Sequence, residues 1–217
     1  MFFELQFYLN FVITYLLSSV YSIYKDYSNF QEFPQKKIQG FSYEQIFKTY
    51  KKVIPLVCTN LFVSSLPCSI ILCKILPDNV FDLDNFNVIY SIINFFMLKV
   101  LTDIFFYICH RLFHTKYFYR FHKIHHEIKA PVGVSAIYAH PIDFCLANIL
   151  PIFLPCYFIY TNIVMIHIWI FLTTWNTINI AHSGYIDVSE FHDNHHKYFK
   201  YNYGTNCFMD NLFGTKK

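Results

Sequence analysis

The chain has 217 residues, enough for one domain or a small pair. Hydrophobic residues make up 55% and charged residues 14%, against about 45–50% and about 25% in soluble domains. That balance excludes a disordered chain, an acidic tail protein and a nucleic-acid binder with a broad basic face. It also leaves too few polar side chains to cover a soluble enzyme. The fold class that remains is an all-α polytopic membrane protein.

In chain order, Leu5–Tyr24 is apolar, uncharged and as long as the ~20 residues that a bilayer requires. It lacks a basic leading region and a small-residue cleavage site, so it reads as a retained helix or signal anchor. Val53–Leu76 is the second predicted span, with Lys74 placed to snorkel. Val88–Cys109 is the third and carries Lys99 and Asp103. From Ile142 to Ala181 the chain stays apolar, broken by Pro151, Pro155 and Asn162, which predicts two helices joined as a hairpin, one of them short. The total is four to five membrane helices.

Charge sets the expected orientation. Fifteen of the 17 Lys and Arg residues lie in three segments, Lys25–Lys52, His110–His140 and the tail from Lys197. The short loop Pro77–Asn87 holds Asp78, Asp82 and Asp84 and no base. The positive-inside rule places the three basic segments in the cytosol and the acidic loop on the other side. The seven cysteines are odd in number, irregularly spaced and never in C-x-x-C, so reduced buried thiols are expected rather than a disulfide framework.

The unusual component is 11 histidines, ten of which fall in the expected cytosolic segments. They cluster as H-R-L-F-H (His110, His114), H-K-I-H-H (His122, His125, His126) and H-D-N-H-H (His192, His195, His196). On a helix, residues three and four apart share a face, so each group projects its imidazoles together. One zinc is satisfied by four ligands, so eight imidazoles exceed that need and match two metals. Imidazole suits iron, zinc, copper and nickel, so ligand type leaves the metal open. The chain has no E-x-x-H motif of soluble di-iron bundles. A metal transporter is the alternative from another class. It would place ligands within the spans near the midplane, whereas these flank the spans.

H-R-L-F-H, F-H-K-I-H-H-E-x-x-x-P, A-H-P-I-D, A-H-S-G-Y, H-D-N-H-H and D-N-L-F-G-T, in that order from about Asp103 to Thr215, resemble the fatty acid hydroxylase superfamily. The pattern is most similar to the sterol C4-methyl oxidases. The resemblance implies N-terminal membrane helices and a cytosolic loop over 1–87 and a catalytic domain over 88–217. It also implies an endoplasmic reticulum multi-pass enzyme, its histidine boxes facing the cytosol. Such an enzyme carries two irons, with zinc a substitute in purified protein. It uses O2 to oxidise a lipid or sterol C–H bond, and takes electrons from a donor such as cytochrome b5 or its reductase. Sterol desaturation or fatty-acyl hydroxylation is the alternative within the superfamily. Carried over, the ligands are His110, His114, His122, His125, His126, His192, His195 and His196, with His182 of A-H-S-G-Y a ninth.

His140 matches a recurrent position and is a further candidate metal ligand, the alternative being a local cap. The sequence departs from the methyl oxidases at Phe191, Asp143 and Met209 and in a short gap between His182 and His192. Asp103, Tyr107, His110 and His114 form one helical stripe. Asp103 and Tyr107 are therefore expected behind the ligands, with Asp103 accepting a ring N–H. The alternative for Asp103 is an ion pair with Lys99. His167, within a span, is expected to make a core or interhelical hydrogen bond.

Overall fold

The computed structural model describes residues 2–29, 35–40, 42–77, 80, 87–159, 161–186 and 188–217. Among the described residues five helices are long and apolar enough to cross a membrane: α1 (Phe2–Ser28), α2 (Tyr43–Ile75), α3 (Val88–Phe113), α4 (Pro141–Phe158) and α5 (Ile163–Ala181). Two short helices follow, α6 (Glu190–Tyr198) and α7 (Phe208–Leu212). Among the described residues there is no strand beyond a single bridge between Lys37 and Tyr185.

Side-chain caps set several boundaries. Ser42 and Gln45 form a reciprocal capping box at α2. Asn87 and Asn162 accept the N–H of Tyr90 and Met165 at 3.1 and 2.9 Å, opening α3 and α5. The box at Ser42 starts α2 at Tyr43 rather than the expected Val53, so Lys48, Lys51 and Lys52 lie on its first turns. The third helix runs past Cys109 to Phe113, which leaves His110 helical and His114 as the C-terminal cap.

Among the described residues three helices contain widened π turns, at Thr59–Ser64, Phe144–Ile149 and Thr177–Ala181. Such turns re-aim side chains. Asn60 in the first is fully buried and donates to the carbonyls of Ile137 and Ala139 at 2.9 and 2.8 Å. That bond fixes the loop between α3 and α4. The third π turn ends α5 immediately before His182.

Helix α1 packs against α5 and the second half of α2, while α3 packs against α4 and carries α7. One apolar core runs through these helices, from Phe7 of α1 to Ile178 of α5. Outward-facing side chains are apolar too, with Val20, Val63 and Ile89 each more than 60% exposed. An apolar outer surface on such helices suits a lipid surround. Asn10 of α1 donates to the ring Nδ1 and the carbonyl of His167 at 2.9 and 3.0 Å, the expected interhelical bond. All seven cysteines are free thiols. Asp78, Asp82 and Asp84 lie outside the described residues.

A buried polar knot joins the N-terminal half to the histidine region. Lys37 pairs with Asp26 at 2.8 Å and donates to the Ser183 carbonyl at 2.6 Å. Tyr185 and Tyr50 hydroxyls also donate to Asp26. Burial lowers the Lys37 ammonium from its ordinary range, and Asp26 opposes that shift.

Candidate metal centre

The nine box histidines converge at the ends of α3 and α5, in the loop before α4, and on α6. His110 comes from the last turn of α3 and His114 from its cap. His122 ends a short helical turn, Tyr119–His122, and His125 and His126 begin a separate 3₁₀ turn, His125–Glu127. The second box is therefore not one continuous helical face, as the spacing predicts. Two adjoining turns deliver the same convergence. The third box does lie on one helix, α6, where His192, His195 and His196 are all buried.

The rings divide into two groups. His110, His114, His122, His126 and His195 form one, and His125, His182, His192 and His196 the other. Within each group the ligating nitrogens all lie within 4.8 Å of one another. In the first group, Nε2 atoms sit 3.0–3.1 Å apart across five contacts, joining residues as distant in sequence as His114 and His195. In the second, His192 Nε2 lies 3.0 Å from His182 and 3.1 Å from His196. The groups adjoin, with the rings of His126 and His196 4.9 Å apart.

The far side of five rings decides their protonation. The Nδ1 atoms of His110, His125, His182 and His195 meet the carbonyls of Tyr203, Tyr138, Thr177 and Tyr201 at 2.7–3.2 Å. His122 Nδ1 meets both oxygens of the Asp143 carboxylate at 2.9 and 3.0 Å. A carbonyl or an ionised carboxylate only accepts, so each of these Nδ1 atoms carries the proton and each Nε2 presents a lone pair. Two Nε2 contacts then set lone pair against lone pair: His110 with His122 at 3.1 Å, and His125 with His182 at 3.5 Å. One such repulsive contact occurs in each group.

Protonating the rings does not relieve it. Burial, aided by neighbouring imidazoles, pushes His114 and His182 down to about 3 and His125 to about 4; burial alone takes His122 to about 3. The same causes hold His126, His192, His195 and His196 well below the usual imidazole range. A cation between the nitrogens does relieve it. Separations of 3.0–3.1 Å also match neighbouring octahedral positions, since two nitrogens at about 2.1 Å from a metal in cis span about 3.0 Å. The donor set therefore fits two metal ions.

Other candidates are placed differently. His140 lies outside both groups. Its Nδ1 accepts the Ile142 N–H at 3.2 Å, capping α4, and its ring packs on Phe121. Asp103 is not a partner of a histidine. It is fully buried and accepts the N–H groups of Thr205, Asn206 and Met209 at 2.6, 2.6 and 2.9 Å. Nor does it pair with Lys99, because those backbone donors from the C-terminal segment occupy it. Tyr107 likewise touches no ligand nitrogen. It accepts from Arg111 at 2.7 Å and packs edge-on against Tyr203, whose carbonyl holds His110. The carboxylate behind a histidine is Asp143, which the sequence marks only as a departure from Glu. The carbonyls that orient the other rings carry no side-chain signature.

A cavity of about 510 Å³ opens onto both groups, with His110 and His122 from one and His125, His182 and His192 from the other on its wall. The remaining wall is mostly apolar, with Phe95, Phe106, Phe144 and Trp169 prominent. Phe11 and Tyr15 of α1 contribute to it, so the N-terminal helix shapes this space.

The fatty acid hydroxylase family model matches residues 95–215, more than half of the chain. The chain belongs to the fatty acid hydroxylase family. It is 37% identical over 124 residues to fatty acid hydroxylase domain-containing protein 2 of Homo sapiens, a match covering 55% of this chain and 37% of that protein. It is 38% identical over 134 residues to a C-4 methylsterol oxidase of Schizosaccharomyces pombe, covering 54% and 43%. Identity to methylsterol monooxygenase 1 of Rattus norvegicus is 33% over 131 residues, covering 54% and 44%. The matched region thus spans less than half the length of these relatives. No solved structure matches the chain.

Proposed function

We propose that this protein is a membrane-bound non-haem di-iron oxygenase that oxidises a lipid C–H bond with O2, of the sterol C4-methyl oxidase type. The observation that carries this reading is the pair of opposed lone-pair contacts, one in each histidine group, both beside an apolar cavity. One metal is held by His110, His114, His122, His126 and His195, and the other by His125, His182, His192 and His196. Iron bound there supplies the oxidising chemistry that side chains lack for an unactivated C–H bond. The chain's own residues do the rest. Carbonyls and Asp143 lock ring orientation through Nδ1–H, and the aromatic wall positions the lipid and excludes water. Zinc binds such nitrogen sites more tightly than ferrous iron and replaces it in protein purified without iron.

Residues 88–217 form the catalytic unit, supported by the family match over 95–215. The sequence has no G-x-G-x-x-G or P-loop, so electrons come from a separate protein such as cytochrome b5 or its reductase, docking on the basic segments. Residence in the endoplasmic reticulum membrane with the boxes facing the cytosol follows from this reading and from the charge distribution. The sterol assignment draws on the methylsterol oxidase relatives. A fatty-acyl hydroxylase is the second reading, favoured by Lys99 and Thr102 on the cavity wall. Lipid profiling of cells with and without the protein, alongside elemental analysis of the purified chain, tests the proposal. Two metals per chain and accumulation of an unoxidised lipid in its absence are expected. One metal or none in folded, active protein refutes it.

A further inference from the structure

The cavity wall carries a cation that the histidine groups do not use. Lys99 is the twelfth residue of the 26-residue helix α3, about 16 Å along the axis from both Val88 and His110 at ~1.5 Å per residue. It therefore sits in mid-span. Its side chain is accessible rather than packed, and among the described residues it has no carboxylate partner. Asp103, one turn on, is occupied by the backbone of Thr205, Asn206 and Met209. Thr102 is 4% exposed and, among the described residues, its Oγ1 has no hydrogen-bond partner. Lys99, Thr102, Phe106 and His110 are spaced three, four and four, which puts them on one face of α3, and all four line the cavity.

An ammonium at mid-membrane and a buried hydroxyl without a partner are both costly, and intramembrane charges characteristically face a cavity and pair there. One ligand satisfies both. The ammonium only donates and the hydroxyl donates or accepts, so the matching group is an acceptor oxygen, best an anionic one. We propose that Lys99 and Thr102 form a subsite for the carboxylate of an acidic lipid whose attacked carbon lies at the histidines. This rests on the lipid-oxygenase reading of the same cavity. The axial distance from His110 is about 12 Å to Thr102 and about 16 Å to Lys99. An extended chain advances about 1.25 Å per methylene (from a ~1.52 Å bond and a ~111° angle), so about ten to thirteen methylenes separate the two ends. A long-chain fatty acid meets that description, and so does a sterol with a side-chain carboxylate. A neutral 4-methylsterol, entering with C4 at the histidines, leaves only its alkyl tail against Lys99.

The test uses the full chain in lipid nanodiscs and reads ligand binding from the fluorescence of Trp169, which lines the cavity. The probes are palmitic acid, its methyl ester, a side-chain-carboxylated sterol and a neutral 4-methylsterol. At neutral pH at least one acid should bind about tenfold or more tighter than its uncharged counterpart, the range of a charge-assisted bond out of water. The tighter of the two acids identifies the scaffold. Lys99→Met should erase the acid preference, weakening the acid far more than the ester. Lys99→Arg should restore most of the preference, and Thr102→Val should lose part of it. Equal binding of acids and neutral probes to the wild-type chain, or an acid preference that survives Lys99→Met, overturns the proposal. Product analysis on the same samples, loaded with ferrous iron and supplied with O2 and an electron donor such as cytochrome b5 with its reductase, separates the two readings. Acid preference dependent on Lys99 without oxidation of any lipid defeats the oxygenase reading alone. Oxidised product without acid preference defeats the subsite alone.

Discussion

Asp103→Ala removes one carboxylate and strands three backbone donors. Asp103 Oδ1 accepts from Thr205 and Asn206, both at 2.6 Å, and Oδ2 from Met209 at 2.9 Å. Met209 is buried, so its N–H is left without water, a loss of about 1–3 kcal/mol. Thr205 and Asn206 are exposed, so solvent replaces the carboxylate there, and each lost bond costs about 1–1.5 kcal/mol net. The sum is about 3–6 kcal/mol, or a fall in Tm of roughly 6–24 °C by the scaling for soluble domains of this size. The effect reaches the metal centre. A Cβ added at Gly204 would lie 2.6 Å from Asp103 Oδ1, so the segment packs tightly onto this carboxylate. Its neighbour Tyr203 supplies the carbonyl that holds His110. Asp103→Ala should therefore lower occupancy of the five-histidine group and expose residues 202–217 to protease. Asp103→Asn keeps one acceptor oxygen and turns an NH2 toward the Met209 N–H, so an intermediate loss is expected. Lys99→Met should rescue neither variant, since the two side chains are not paired. Thermal unfolding, limited proteolysis and metal stoichiometry on the three variants decide the matter. An Asp103→Ala protein within about 2 °C of wild type, with a protease-resistant tail, would refute the anchoring argument.

Asp143→Asn keeps an acceptor for His122 but removes the charge, and should weaken metal binding to the first group about 10–100-fold, read by chelator competition; unchanged affinity would count against that role. His125→Ala should reduce the stoichiometry from two metals toward one and abolish lipid oxidation. His167→Ala, which removes the ring's contacts with Asn10 and Phe7 and touches neither histidine group, should keep both metals. Acid should destabilise the metal-free chain. His114, His122, His125 and His182 titrate at about 3–4 in the fold against 6.5 when unperturbed. The unfolded chain then binds more protons throughout that window. Their contribution is complete above about pH 6.5 and is lost as pH falls toward 3–4, at up to about 1.4 kcal/mol per histidine per pH unit. Tm of the metal-free chain measured from pH 7 to pH 5 should fall, and a flat profile would contradict the burial argument; the metal-loaded protein should release its metals over the same acid range.

Some of this architecture is written in local sequence. An apolar run of sufficient length has only a helix available to it in lipid, because every backbone N–H and C=O must be satisfied within the segment. Hence the spans, the hairpin after Ile142 and the free thiols are legible without coordinates. Histidine at spacings of three and four reports a shared projection, and the second box shows that this holds even where the helix breaks into two turns. Ends are less legible. Neither the capping box at Ser42 nor the run of α3 to Phe113 follows from hydropathy, and both shift which residues are helical.

Tertiary structure alone decides how nine histidines divide into five and four, because His114 meets His195 and His125 meets His182 across long stretches of chain. It decides that His140 caps a helix instead of joining them. It also assigns the carboxylates: the helical stripe points Asp103 toward the first box, yet three backbone donors of the C-terminal segment reach it first, while Asp143 takes His122. The physical reason is common to all three. Which acceptor a ring N–H finds depends on carbonyls, and every residue offers a carbonyl. Sequence therefore identifies the imidazoles, and only the fold selects the acceptors that turn their lone pairs inward.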